Sequence, residues 1–303
     1  MKIAFLISAY TDPAHLKRFI DSLPEESHFF IHVDKGADEA PFRQLMTQPH
    51  VHFIDNRVRV MWGSYTQVQF QMELIRAALS TGEAFDYLFM LSAQDYPVWS
   101  NARIMAHLEA NKGKNYLMGM CLVGRPHAET FEYTRYRFLN NYPWKYGTLK
   151  SKCRVALRKV LTPFLKKPID FMADGRHYRL YKGSDYFALT GELAAYVLKT
   201  YDDSPQLRRY FKNGFAPSET FTHTVAFNSP FADSCILFTP QQESGIRLED
   251  LTPLTYIEYG AKIKELTEDD YDAIIQSDKM LCRKCVTGIS DELLRRIDAQ
   301  REP

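Results

Sequence analysis

A few short clusters in this 303-residue chain carry side chains able to do chemistry. Arg283 and Lys284 stand side by side between Cys282 and Cys285, and adjacent cations can offset the charge that builds on a departing diphosphate. Pro217-Ser218-Glu219 offers a carboxylate that could take a proton. The same three residues also read as an ordinary helix start whose acid complements the macrodipole. Asp270-Tyr271-Asp272 has the spacing of a carboxylate pair that can hold a divalent metal, but it continues an acidic run with Glu268 and Asp269. A solvated helix face is therefore the preferred reading. Cys282 and Cys285 have C-x-x-C spacing; with no second Cys or His pair nearby, and in a stretch read as helical, they signal packing rather than zinc or redox chemistry.

Several nucleotide fingerprints are missing. No G-x-G-x-x-G follows the first strand, and the nearest P-loop lookalike, Gly119 to Arg125, lacks the lysine and has Pro126 where Ser or Thr belongs. Dinucleotide oxidoreductases and P-loop kinases are thereby disfavoured. The net charge of +1 provides no global attraction to nucleic acid, so any electrostatic partner acts through local patches. One patch stands out: positions 145–167 carry Lys150, Lys152, Arg154, Arg158, Lys159, Lys166 and Lys167, interleaved with Val155, Leu157, Val160, Leu161, Phe164 and Leu165. Such a segment could dock on anionic headgroups, though a helix packing its apolar face on the domain is preferred. Five scattered cysteines suit reduced thiols and a cytoplasmic setting, with peripheral contact at the inner face of a membrane through 145–167 as an option. The apolar run from Ile3 to Ala9 is too short to span a bilayer and carries no cleavage pattern.

The elements that must position these residues follow from periodicity. Lys2–Tyr10, His28–Asp34, Val51–Asp55, Asp86–Ser92 and Tyr116–Met120 read as strands, while Pro13–Leu23, Thr66–Thr81 and Asn101–Lys112, capped near Ser100, read as helices. This alternation requires an α/β fold with a mostly parallel sheet flanked by helices and ligands at the carboxyl ends of the strands. Beyond about residue 125 the pattern is less regular: Tyr181–Leu189 reads as one strand, Gly191–Tyr201 and Ser218–Asn228 as helices, and Glu265–Gln300 as mainly helical. No repeat or low-complexity linker divides the chain, so a single domain over 1–303 is expected, with a nucleotide-binding half (1–124) and an acceptor and catalytic half (125–303).

The motifs, taken in order, resemble the core-2/I-branching β-1,6-N-acetylglucosaminyltransferases, a family that also contains the peptide O-xylosyltransferases. Ile31-His-Val-Asp34-Lys35 is similar to an H-V-D-K strand end, Trp62-Gly63 to a W-G signature, and Leu91-Ser-Ala-Gln-Asp95-Tyr96-Pro97 to an L-S-G-Q-D-x-P loop. Gly183-Ser184-Asp185-Tyr186-Phe187 with Tyr196-Val197-Leu198 resembles G-S-x-Y-F…Y-V-L; Pro217-Ser218-Glu219 with Thr224 resembles P-D-E…T; and Leu281-Cys-Arg283-Lys284-Cys resembles F-A-R-K-F. Three positions depart from the pattern: Ala93 for Gly, Ser218 for Asp, and Thr255 near the place of an arginine that assists the phosphates.

The resemblance implies a GT-A-like fold and an inverting transfer of GlcNAc, or xylose, from a UDP-sugar to an oligosaccharide, glycolipid or glycoprotein acceptor, with no metal or other cofactor and no nucleic-acid partner. It implies Glu219 as the base. It also implies a donor site of Ala9, Asp34, Lys35, Trp62, Asp95, Arg283 and Lys284, with acceptor contacts from Glu132, Arg135 and Tyr186. The alternative is a protein of the same fold that binds nucleotide or carbohydrate without turnover.

Overall fold

The computed structural model describes residues 1–124, 134, 148–161, 164–239, 246–260 and 262–301, with the backbone alone of 151, 154, 155, 158 and 159. Its centre is built by the first third of the sequence. Strands β1 (Ile3–Ala9), β2 (His28–Val33), β3 (Val51–Phe53) and β4 (Tyr87–Ser92) run parallel, joined through helices α1 (Pro13–Asp21), α2 (Ala40–Leu45) and α3 (Thr66–Ser80). Parallel strands covered on both faces need near-continuous apolar sequence, and β4 is buried along its whole length. Within these runs the period of two sorts the faces. Ala4, Leu6, Leu88 and Met90 join the core that holds α3, whereas Ile3, Phe5, Ile7, Phe89 and Leu91 join the core that holds α1.

The chain continues through β5 (Asp95–Pro97), α4 (Asn101–Ala110), β6 (Met118–Cys121), α5 (Leu149–Leu161), β7 (Asp170–Ala173), β8 (Arg176–Arg179), β9 (Tyr181–Gly183), β10 (Phe187–Thr190), α6 (Gly191–Asp203), α7 (Pro205–Lys212) and α8 (Ser218–Phe227). It closes with β11 (Ile236–Leu237), β12 (Thr255–Ile257), α9 (Tyr271–Gln276), β13 (Leu281–Arg283) and α10 (Asp291–Arg301). The central sheet has the order β10-β4-β1-β2-β3, with β10 alone antiparallel. Ser100 caps α4 as expected, its hydroxyl accepting from the Arg103 amide. The α/β class with a mostly parallel sheet and flanking helices is the one the alternation required.

Three expectations are corrected. The stretch Tyr181–Leu189 is two strands in different sheets: β9 pairs antiparallel with β6, and β10 pairs with β4. The cause is a close approach at Gly183, where a β-carbon would fall 2.1 Å from Nε2 of His223 and 2.3 Å from the Met118 carbonyl oxygen. A residue without a side chain lets β9 press against α8 and leave the central sheet. Secondly, the tail is not mainly helical around the cysteines. Residues Leu281–Arg283 are buried and extended, parallel to β12 and antiparallel to β5, because this short apolar run is captured between two strands. Both cysteines are fully buried with their sulfurs 3.7 Å apart, as packing residues should be. Thirdly, Asp270 departs from the solvated face on which Glu268, Asp269 and Asp272 lie. Asp270 is buried, accepts from the Thr267 amide at 2.9 Å and pairs with Lys264.

Glu132 and Arg135 lie outside the described residues, as do 145–147 and 162–163 of the basic segment. No helix among the described residues is long and apolar enough to cross a membrane.

Candidate active site

The antiparallel strand β10 begins where the parallel strands end. Phe187 stands opposite Met90, so Ser184, Asp185 and Tyr186, which precede it, fall at the carboxyl edge of the sheet, where open α/β sheets bind ligands. The other antiparallel junction brings a cation to the same edge. Arg283 of β13 is the register partner of Asp95 in β5, and its Nη1 donates to Asp95 Oδ1 at 2.9 Å. The other carboxylate oxygen accepts from the Ser92 amide at 2.9 Å. The guanidinium lies 4.5 Å over the ring of Tyr186. Burial raises the Asp95 carboxyl, and the Arg283 charge and Ser92 amide act against that rise. Breaking one partner of so buried a pair costs on the order of 3–5 kcal/mol, because the other charge is left uncompensated.

Helix α8 supplies the second charged pair. Glu219 sits in its first turn, and His223, four residues on, shares that face. Lys182 of β9 is wholly buried, yet its ammonium reaches the Glu219 carboxylate through Oε2 and also donates to the Gly183 carbonyl at 3.2 Å. The Glu219 side chain keeps 15% exposure, so a buried cation holds a carboxylate that still meets the surface. Beside them Asp185 accepts weakly from the Gln71 amide at 3.4 Å. Burial, and then the charge of Glu219, push the Asp185 carboxyl up to about 7, with Lys182 and Gln71 acting in the opposite direction. Neither ring nitrogen of His223 has a hydrogen-bond partner among the described residues. Burial, followed by the Lys182 ammonium, pushes this imidazole down to about 3, so it is neutral. Tyr186 and Tyr259 close the group, and burial raises both hydroxyls.

The remaining sequence candidates are placed around this centre. Ala9 is buried at the end of β1. Asp34, just past β2, accepts from the Gly36 amide at 2.6 Å and the Val60 amide at 2.7 Å, so its carboxylate shapes the loop 57–63; Lys35 is exposed beside it. That loop reaches α8 through the Ala216 amide, which donates to the Gly63 carbonyl at 2.9 Å. Trp62 is 75% exposed and meets Phe215 edge-on at 5.3 Å between ring centres. An open cleft of about 600 Å³ adjoins it, lined by Met61, Tyr65 and Gln69 on one side and by Arg208, Arg209 and Lys212 of α7 on the other. Lys284 pairs at 2.9 Å with Glu265 at the surface. Thr255 is buried, and its hydroxyl has no partner among the described residues. Also among those residues, no three His, Cys, Asp or Glu side chains converge to hold a metal ion.

Asp95, Tyr186, Glu219 and Arg283 are thus brought together, while Asp34 bonds to, and Trp62 belongs to, the loop that meets the start of α8 through Gly63–Ala216 and Trp62–Phe215. Sequence reasoning missed Lys182, His223 and Tyr259, and gave Asp185 no role. One signal was available: Lys182 is a charged residue between Tyr181 and Gly183 in a stretch that reads as a strand.

A carboxylate on a helix start and two buried cations are thus gathered where the parallel strands end. The core-2/I-branching enzyme description matches residues 3–241, and the chain belongs to this family. Xylosyltransferase 2 of Rattus norvegicus is 27% identical over 248 residues, covering 78% of this chain and 26% of that protein. The human counterpart is 29% identical over 227 residues (71% and 23%), and xylosyltransferase sqv-6 of Caenorhabditis elegans is 23% identical over 272 residues (84% and 30%). The chain therefore spans roughly a quarter of the length of these relatives. Among solved structures, the apo form of mouse xyloside xylosyltransferase 1 shares 11% identity over 79% of this chain and 85% of its own, with a TM-score of 0.33.

The neutral, buried His223 has a consequence for stability. Its native value of about 3 lies below the ordinary 6.5, so between those pH values the unfolded chain binds more protons. Stability from this residue is full above pH 6.5 and falls as pH drops toward 3. Between pH 7 and 5 the wild type should lose about 2 kcal/mol more than His223→Phe, as read by urea unfolding at the two pH values; equal losses would show that His223 charges freely in the native state.

Proposed function

We propose that this chain catalyses a single-displacement glycosyl transfer from a UDP-sugar to a carbohydrate-type acceptor, with Glu219 as the base. The observation that carries the reading is the pairing of Glu219 with the buried Lys182 at the carboxyl edge of the sheet, next to Asp185 and the Asp95–Arg283 pair. In this reaction the acceptor hydroxyl attacks the anomeric carbon from the face opposite the diphosphate. Glu219 takes the hydroxyl proton as the new bond forms. The bond from the anomeric carbon to the phosphate oxygen breaks, and its electrons leave with UDP.

Cations fit the leaving side. Arg283 is fixed by Asp95, while its Nε is buried without a partner among the described residues. Among the described residues the Lys284 ammonium is held by a surface pair with Glu265, worth under about 1 kcal/mol, so it can exchange Glu265 for a phosphate at small cost. With these two side chains at the diphosphate the reaction needs no metal ion. Asp34 on the uridine, Trp62 against a sugar face and Tyr186 near the acceptor complete the assignment. GlcNAc and xylose remain the candidate sugars, and the names of the relatives make UDP-xylose the first to try.

A second feature bears on where the enzyme works. In α5, Leu149, Leu157 and Val160 are exposed, as is Phe164 beyond it. Leu161 and Leu165 are half-buried, so among the described side chains the stripe is partly covered and partly open. Lys150 and Lys152 flank it, and no acid lies between 145 and 169. Apolar side chains bordered by cations suit the surface of an anionic bilayer.

Two measurements test these readings. UDP release from one UDP-sugar should proceed in EDTA and drop at least about 100-fold in Glu219→Gln; undiminished release from the variant would remove Glu219 from the mechanism. The chain should sediment with vesicles containing phosphatidylserine but not with phosphatidylcholine alone, and Leu157→Asp with Val160→Asp should abolish this. Equal recovery with both vesicle types, or with neither, would refute the membrane contact.

A further inference from the structure

Lys182 stands outside every motif that drew attention in the sequence, yet it is as completely buried as Asp95. The side chain leaves β9, is covered on all sides, and ends between the Gly183 carbonyl and Oε2 of Glu219. Its surroundings are unusually constrained. Gly183 leaves no room for a β-carbon, His223 lies against Gly183 on the same face of α8 as Glu219, and β6 pairs with β9 from the other side, Met120 opposite Lys182. The ammonium therefore has little freedom to move. Desolvating a lysine is expensive, and the cost is recovered only where a carboxylate meets it in good geometry.

We infer that Lys182 is a positioning residue for the proposed base: it grips Oε2 of Glu219 so that Oε1 is the oxygen presented to the acceptor hydroxyl. This deepens the reading of Glu219 given above and rests on it. Two features favour positioning over a purely structural pair. A replaceable structural ion pair is often exchanged for apolar residues without loss, whereas here the carboxylate remains partly exposed while the cation is not, so only one end faces a ligand. In addition, a second carboxylate, Asp185, stands in the electrostatic field of both. Without the lysine, two neighbouring acids would compete for one proton, and a carboxylate that shares a proton with its neighbour is a poorer base.

The test compares wild type, Lys182→Met, Lys182→Arg, Glu219→Gln and the double variant Lys182→Met with Glu219→Gln. Methionine keeps the length of the stem without its charge. Lys182→Met should lower kcat about 100-fold, with KM for the donor and the dissociation constant of UDP within about threefold of wild type, since in this role the lysine acts on the base and not on the donor. The acid limb of its pH–rate profile should move upward by about one pH unit. Lys182→Arg should recover part of the rate. The double variant should be no slower than Glu219→Gln alone, because the lysine acts only through the carboxylate. Unchanged kcat and an unmoved acid limb in folded Lys182→Met would overturn the inference, as would losses that add in the double variant.

If Lys182→Met does not fold, Glu219→Gln reads the pair from its other end. With the carboxylate gone the buried ammonium is uncompensated, so the melting temperature should fall by about 5 °C or more; an unchanged melting temperature would show that the pair does not hold the lysine in place. That measurement needs no turnover. A chain that releases no UDP from any donor, yet melts lower as Glu219→Gln, would sink the catalytic reading while leaving the Lys182–Glu219 pair intact, and the role of positioning a base would fall with that reading.

Discussion

Charge can be buried in a protein only where it is paired, and this requirement organises the whole site. Two cations, Lys182 and Arg283, are taken out of water, each against one carboxylate, Glu219 and Asp95. Each pair joins segments far apart in sequence. Arg283 is 188 positions from Asp95, and Lys182 is 37 from Glu219. Removing any one of the four leaves an uncompensated charge, at a cost on the order of 3–5 kcal/mol. The two pairs therefore fix where β13 meets β5 and where α8 meets β9, and the surfaces between them become the place where a substrate can sit.

The fold serves that constraint through its two antiparallel junctions. Four parallel strands end at one edge, and β10 starts there in the opposite direction. The turn before β10 thus delivers Asp185 and Tyr186 to the edge, while β9, split from β10, carries Lys182 to the side of α8. Separating β9 from β10 depends on Gly183, whose missing side chain admits His223 and the Met118 carbonyl. The result is a division of labour between two pairs. Asp95–Arg283 is closed on the inside and stacked on Tyr186, which in the proposed reaction would set geometry on the leaving-group side. Glu219–Lys182 is closed at the lysine and open at the glutamate, which in the same proposal would leave one oxygen free to act.

Much of this was legible in the sequence, for identifiable reasons. The parallel strands carry long apolar runs with clear boundaries, and helices such as α1 and α3 keep their periodicity, so the α/β class and most of the first half followed directly. Glu219 and Arg283 could be chosen because they stand in motifs of ordered resemblance. The failures share one cause. The single strand expected over Tyr181–Leu189 and the helix expected around Cys282 were both overturned by tertiary pairing, since a three-residue strand has no periodicity of its own and takes its conformation from its neighbours. The one sign of Lys182, a charge inside a strand, could not be read for the same reason. A lysine on a strand looks solvent-facing until the partner that compensates it is known, and that partner lies on a helix 37 positions away.

The proposed chemistry is a single displacement at the anomeric carbon, with one carboxylate receiving one proton. The most direct measurement is the anomeric configuration of the first product, read by proton NMR during transfer from an α-linked UDP-sugar, before the free sugar can equilibrate. A β-configured glycoside, formed from the outset, is the expected result. An α-configured product would require two displacements or a front-side path, and would contradict the role assigned to Glu219 and the lysine behind it.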